Sequence, residues 1–390
     1  MLAIPIDYNK RIYGYDLLRA YAIFRVVNGH GGHLLNGTFL EGFPWFTSPS
    51  GVDIFFVLSG FLIGYSFISN IAKKGEKAAS ALSFNFWKRS SLRILPNYFL
   101  ILLVNYLFVY WGIINGDSDK FSILLFATFT QNLFYPFYGF FWESWSIAVQ
   151  EWFYLLFPIS LIISTRFLKI KQASLLFAFL LIGISLVYRT QLGQNEFDQF
   201  FWDLNFRKIV LSRLDSIAYG LIAAWIRFYY GKQWGYYAIP SFIIGVLVFA
   251  SVLYIPFKIN TFYANVIFFC IPPISVSFLL PLLDKFKNVK TVMGRFISHI
   301  GILSYALYLT NLLIIQIINL HFSNYLSSNG VVNYLFYWFI TLVFSYLLYT
   351  LVENPIVKYG NKLLHTQKMM YKRKVNSRLK TIDLKSKNSR

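Results

Sequence analysis

GVDIFFVLSGFLIGYSFISNIA, residues 51–72, is an unbroken apolar stretch with a single formally charged residue, Asp53, near its start. A membrane-spanning helix needs about 20 mostly apolar residues, so this stretch reads as a span. Applied outward along the chain, the same test marks spans at 15–35, 92–113, 147–166, 172–189, 209–230, 236–255, 262–284, 298–320 and 332–353. The expected fold class is therefore an all-α polytopic membrane protein with about ten transmembrane helices. FSILLFATFTQNLFY, 121–135, is too short and too polar at Gln131 and Asn132 to cross, and is expected to be a re-entrant or interfacial helix.

Composition agrees. Of the 390 residues, 57% are hydrophobic and 13% charged, too apolar for a water-soluble chain of this length. The 42 Phe and 28 Tyr suit lipid-facing positions and interfacial ring anchors. A net charge of +20 would draw a soluble protein to nucleic acid, but here the excess cations sit beside apolar stretches. The partner they imply is the lipid bilayer, and no nucleic acid. Cys270 is the only cysteine, so neither a disulfide framework nor a cysteine metal site is available, and no metal is called for. Within its apolar run Cys270 reads as a small lipid-buried residue. The start, MLAIPIDYNKRIYGYDLLRAYAIF, has a basic flank and no small-residue cleavage pattern, so it reads as a retained first helix.

The loops test the span count independently, because cytoplasmic loops collect Lys and Arg. Cations gather at Lys10 and Arg11, at Lys73, Lys74, Lys77, Lys88 and Arg89, and at Arg166, Lys169 and Lys171. They gather again at Arg227 and Lys232, and at Lys285, Lys287, Lys290 and Arg295. The connections between are poor: 36–50 and 321–331 have none, and 114–146 has only Lys120. Both termini are thus expected in the cytoplasm, with a transmembrane domain over 1–356 and a basic, disordered tail over 357–390 able to rest on anionic headgroups.

Ionisable residues inside spans are expensive and normally line a protein or water-filled interior. The spacing from Arg19 to His30, three helical turns plus about 20°, sets both on one face of the first helix, separated by a rise of roughly 16 Å. Asp16 is placed to pair with Arg19. Arg25 points elsewhere, and His33 reads as a solvated histidine at the helix end.

YDLLRAYAIFRVVNGH (15–30) resembles the signature of the acyltransferase-3 family of integral membrane acyltransferases, with its R-x10-H motif at Arg19 and His30. GVDIFFVLSGFLIG (51–64) resembles the second-helix motif, FWKRSSLRILPNY (86–98) the basic third-helix start, and WSIAVQEWFYLLFP (145–158) the tryptophan-serine motif. SRLDSIAYGLIAA (212–224), LSYALYLTN (303–311) and LVENP (351–355) are similar to later segments, all in family order. Three positions depart from the pattern. The R-x-x-R pair falls at 90 and 93, where residue 90 is Ser and Arg89 precedes it. Position 150, usually Glu, is Gln with Glu151 beside it, and position 311, often His, is Asn.

The resemblance implies transfer of an acyl group, commonly acetyl, from cytoplasmic acyl-CoA to a hydroxyl of an extracytoplasmic glycan. It implies a bacterial cytoplasmic membrane, acetyl-CoA or another acyl-CoA as donor, and a glycan acceptor. Relatives often carry an appended soluble domain, and with the short tail here the acceptor is expected to be reached either directly or with the help of a separate extracytoplasmic transferase or glycan-assembly protein. Arg19, Arg89 and Arg93 are the candidates to hold the coenzyme phosphates. His30 is the candidate base, and Asp53 or Glu151 the candidate carboxylate that fixes its tautomer. Ser59 is a nucleophile only if transfer is covalent, and within Ser-Gly-Phe it reads rather as a packing residue. Trp145 reads as an interfacial anchor, with sugar stacking in the substrate cavity as its alternative, Ser146 as its neighbour in the cavity wall, and Arg213 with Asp215 as a structural pair lining the cavity. Tyr305, Tyr308 and Asn311 form a polar strip on the ninth span. A transporter or flippase of a glycan or its lipid-linked precursor is the competing expectation.

Overall fold

The computed structural model describes residues 11–41, 51–116, 120–137, 139–255, 257–287, 289, 291–360 and 362. Among these residues the chain is helical, with no strand. In chain order the main helices are α1 (Tyr13–Gly31), α2 (Gly51–Lys74), α3 (Ala79–Tyr110), α4 (Lys120–Ala127), α5 (Ser144–Ser164) and α6 (Ile170–Leu192). They continue as α7 (Leu214–Tyr229), α8 (Ala238–Tyr254), α9 (Ile271–Leu283), α10 (Val292–His321) and α11 (Gly330–Leu348).

Every expected span contains a helix, but length separates them. Among the described residues, six helical segments are long and apolar enough to cross a membrane: Gly51–Lys74, Glu76–Tyr110, Ser144–Ser164, Ile170–Leu192, Val292–His321 and Gly330–Gly360. The helices at α7, α8 and α9 have 16, 17 and 13 residues. α1 has 19, but carries Asp16, Arg19 and Arg25. The stretch expected to be re-entrant contains the eight-residue α4. Gln131 and Asn132 beyond it are tethers: Gln131 donates to Ser144 Oγ at 3.2 Å, and Asn132 to the carbonyls of Trp145 and Lys208 at 3.1 and 2.6 Å. The basic tail beyond Lys362 and most of the 36–50 loop lie outside the described residues.

Two crossings position the site. α1 runs parallel to α10, since Gly301 packs on the Asp16 backbone at one end and Asn311 meets His30 at the other. α2 crosses α7 backbone to backbone. A Cβ on Gly60 would overlap the Ile217 carbonyl oxygen, and one on Gly220 the Val57 carbonyl oxygen. Gly60 and Gly64 share one helical face, the small-residue spacing that lets helices approach closely where lipid offers no hydrophobic drive. Gly60→Ala is therefore expected to cost about 1–3 kcal/mol. The check is the thermal unfolding midpoint in detergent, against Gly183→Ala, where an added Cβ meets no atom within 4 Å.

Candidate active site

The Arg end of α1 is a cluster of cations with few counter-charges. Asp16, 1% exposed, accepts Arg11 Nε at 2.7 Å and Arg11 Nη2 at 2.5 Å, and also Arg19 Nη1 at 3.1 Å. Two guanidinium groups on one carboxylate leave the cluster positive. Arg93 on α3 lies close enough for its charge to act on Arg19, Tyr154 and Glu353. Arg89 sits one turn before Arg93 and both are exposed. Residues four apart on a helix differ by about 40°, so the one-residue shift from the family spacing keeps both guanidiniums on one face. Exposed or half-exposed guanidiniums converging from two helices can grip a phosphate group bidentately.

Between the two ends of α1 the interior is polar. The Tyr154 hydroxyl lies 3.3 Å from Ser59 Oγ and 3.2 Å from Gln150 Oε1, so Ser59 has a tyrosine partner. Glu151 lies within electrostatic reach of Tyr98, Tyr154 and Tyr305, and its Oε1 has no hydrogen-bond partner among the described residues. Asn97 donates to Glu353 Oε2 at 3.0 Å. Glu353 ends a π-helical turn, Tyr349–Glu353, a geometry common at functional sites.

At the other end of α1, His30 Nδ1 lies 2.5 Å from Asn311 Oδ1. The Asn311 amide is oriented by its own helix, because Nδ2 donates to the carbonyls of Leu307 and Tyr308 at 2.8 and 2.7 Å. The oxygen must then face the ring, and an oxygen accepts only from a protonated Nδ1. His30 Nε2 is left with its lone pair, the tautomer a general base requires. The tautomer is thus fixed by an amide, whereas the sequence pointed to the carboxylate of Asp53 or Glu151.

Those two carboxylates are placed elsewhere. Asp53 forms a buried ion pair with Arg213, which also donates to Ser216 Oγ at 3.1 Å. The expected Arg213–Asp215 pair does not form, because Asp215 binds Arg189 at 2.6 Å. Arg189, wholly buried, also donates to the Ser212 carbonyl at 2.6 Å. Cys270 is not lipid-buried either: its Sγ lies 3.2 Å from Arg189 Nη2. Trp145 is 7% exposed and packs edge-on against Phe56, so it is a core ring and no interfacial anchor.

The strip on α10 reaches three helices. A spacing of three walks back about 60° per step, so Tyr305 donates to the Ile94 carbonyl of α3 at 2.8 Å and Tyr308 meets Ser146 Oγ of α5 at 2.5 Å. Asn311 meets α1. Sequence reading missed Glu143, Arg189 and the Asn97–Glu353 pair. Glu143 stands in FWESW, and a carboxylate inside an aromatic run is the signal that would have found it. An apolar cavity of about 300 Å³ between α7, α8 and α9, bordered by Tyr219, Trp234 and Phe278, holds none of these groups.

The acyltransferase domain model of the acyltransferase-3 family matches residues 12–350. The chain is 28% identical, over 377 residues, to the O-acetyltransferase OatA of Staphylococcus aureus strain NCTC 8325 / PS 47, covering 90% of this chain and 58% of the relative. OatA of strain COL matches with the same identity and coverage. The chain thus spans less than two thirds of the length of these relatives. No solved structure matches it. The family match from before α1 to the end of α11, over a helical frame with Arg19 and His30 on one inward-facing helix, shows that the chain belongs to the acyltransferase-3 family.

Proposed function

We propose that this protein is a membrane O-acyltransferase that moves an acetyl group from cytoplasmic acyl-CoA to a hydroxyl of an extracytoplasmic glycan. The observation that carries the reading is the Asn311 amide holding His30 with Nε2 free, at one end of a helix whose other end gathers Arg19 and Arg93. The proposal includes ten crossings of a bacterial cytoplasmic membrane, with α1, α7, α8 and α9 spanning as members of the packed bundle and both termini inside. On that topology the Arg end opens to the cytoplasm and His30 lies toward the far side.

Each end has a separate task. Arg19, Arg89 and Arg93 bind the donor's phosphates by charge-assisted hydrogen bonds. His30 removes the proton of the acceptor hydroxyl as the acetyl group moves to it. The acceptor is reached directly or through a separate extracytoplasmic transferase or glycan-assembly protein.

Labelled acetyl-CoA supplied to inverted membranes containing the chain tests the reading. Label is expected to leave the coenzyme and appear in glycan or water, and Arg93→Ala is expected to raise KM for acetyl-CoA about 10-fold, the loss of about 1.4 kcal/mol of binding. Movement of unmodified glycan across the membrane without acetyl-CoA consumption would replace this reading with a transporter.

A further inference from the structure

The cavity between α7, α8 and α9 lies apart from the site built around α1. It is bordered by α7 from Tyr219 to Ile226 and by α9 from Ile274 to Pro281, a rise of about 10 Å along each helix. Its floor is closed by Ala223 and Trp234, both buried. Ile226, Tyr237 and Phe278 stand at its mouth and are exposed, as are Ile239 and Ile243 on α8, one of its walls. The cavity is therefore a groove that opens on an apolar outer face of the bundle.

Its walls are pinned. Ser241 Oγ donates to the Phe278 carbonyl at 2.7 Å and Ser275 Oγ to the Gly245 carbonyl at 2.8 Å, which fixes α8 against α9. At the end nearer Pro281, Arg227 Nη2 and Trp234 Nε1 donate to the Asp284 carboxylate at 2.8 and 3.2 Å, joining α7 and the short helix Gly231–Tyr236 to the end of α9. That clasp brings Lys232, beside Gln233 of the cavity wall, to the same end as Lys285 and Lys287, which follow Pro281 in the chain. All three lysines are exposed, while the Asp284 carboxylate is engaged by Arg227, Trp234 and the Tyr15 hydroxyl. One end of an apolar groove thus carries three cations.

We propose that this groove holds one acyl chain of an anionic glycerophospholipid, with the headgroup phosphate set among Lys232, Lys285 and Lys287. An apolar wall offers water no hydrogen bonds, so a groove of about 300 Å³ that opens onto a bilayer takes hydrocarbon. The lysines select the headgroup, because cations at a membrane surface attract anionic lipid. A free phosphate would leave the apolar wall unmatched, and an uncharged chain would leave the lysines unmatched. The inference needs only that the chain lies in a bilayer and stands apart from the acyl-transfer reading. The backbone of Gly14 donates to the Phe286 carbonyl at 3.0 Å, so the lysine end adjoins the Arg end of α1. On the proposed topology the lipid therefore comes from the cytoplasmic leaflet.

The test titrates the full chain, delipidated in detergent, with dioleoyl phosphatidylglycerol, dioleoyl phosphatidylcholine or a polyprenyl phosphate, and reads bound lipid by native mass spectrometry. One phosphatidylglycerol is expected to bind about 100-fold more tightly than phosphatidylcholine, at roughly five-fold per lysine. Replacing Lys232, Lys285 and Lys287 together by Ala should bring the two lipids level. Ser277→Phe, which sets a ring into the groove, should abolish the one-lipid complex with the lysines intact. Ile274→Trp blocks the same space from a second position, so a folding defect in one variant leaves the other to decide. Equal affinity of the wild type for the two phospholipids would overturn the inference, as would phosphatidylglycerol binding that survives both blocking variants in folded protein. Preference for the polyprenyl phosphate would overturn it in favour of an isoprenoid carrier. Acetyl-CoA is absent throughout, so failure of the acyl-transfer reading leaves this result untouched.

Discussion

His30→Ala is expected to lower kcat for acetyl transfer about 1,000-fold, within the range measured for removal of a positioned general base. That corresponds to about 4 kcal/mol of lost transition-state stabilisation. The ring is only partly buried, and one neutral hydrogen bond to Asn311 is lost with it, so the protein should still fold and bind acetyl-CoA with unchanged KM. Added imidazole should recover part of the rate, because the vacated space keeps its Asn311 acceptor. Asn311→Leu separates the ring from its tautomer lock: the imidazole stays but its protons are free to redistribute, and the rate should fall between the two. The measurement is thiol release from acetyl-CoA by protein of matched folded amount. Activity of His30→Ala equal to the wild type would take the imidazole out of the mechanism.

How much of this was readable in advance follows from what a linear sequence encodes. Apolar length marks a helix without reference to its neighbours, so residues such as Gly51–Lys74 and Ser144–Ser164 were found within a few positions. Spacing within one helix is also local, so the shared face of Arg19 and His30, and the Asp16–Arg19 pair, could be derived from 100° per residue. Pairing between helices is a different matter. Nothing in the order of residues says that α2 crosses α7, so Asp53 was read against His30 when its partner is Arg213, 160 positions away. Asp215 was assigned to Arg213 because the two are only two positions apart in sequence, while the helix turn sends it to Arg189 on α6. The departure at position 311 also changed meaning once its geometry was known. Asparagine for histidine read only as a departure from the family pattern, yet the amide is what leaves Nε2 free.

The second large effect concerns folding and also separates two roles for Asp53. Arg213→Met should strip the buried Asp53 carboxylate of its cation, and breaking one side of such a pair costs about 3–5 kcal/mol. Both side chains are almost wholly inaccessible, and the guanidinium carbon also lies 4.8 Å from the Phe269 ring centroid, so no water can take over. Folded protein recovered in detergent should fall sharply and the unfolding midpoint with it. The double variant Asp53→Asn, Arg213→Met removes the unpaired charge and should regain most of the loss, the coupling being read from a double-mutant cycle. Because α2 meets α7 through the glycines of the same crossing, the pair acts as a register pin at one end of that contact. Specific activity then decides the chemistry. If Asp53 serves only this pin, the folded double variant keeps its turnover. A carboxylate needed at the reacting hydroxyl would instead cost orders of magnitude in kcat even when the fold is restored.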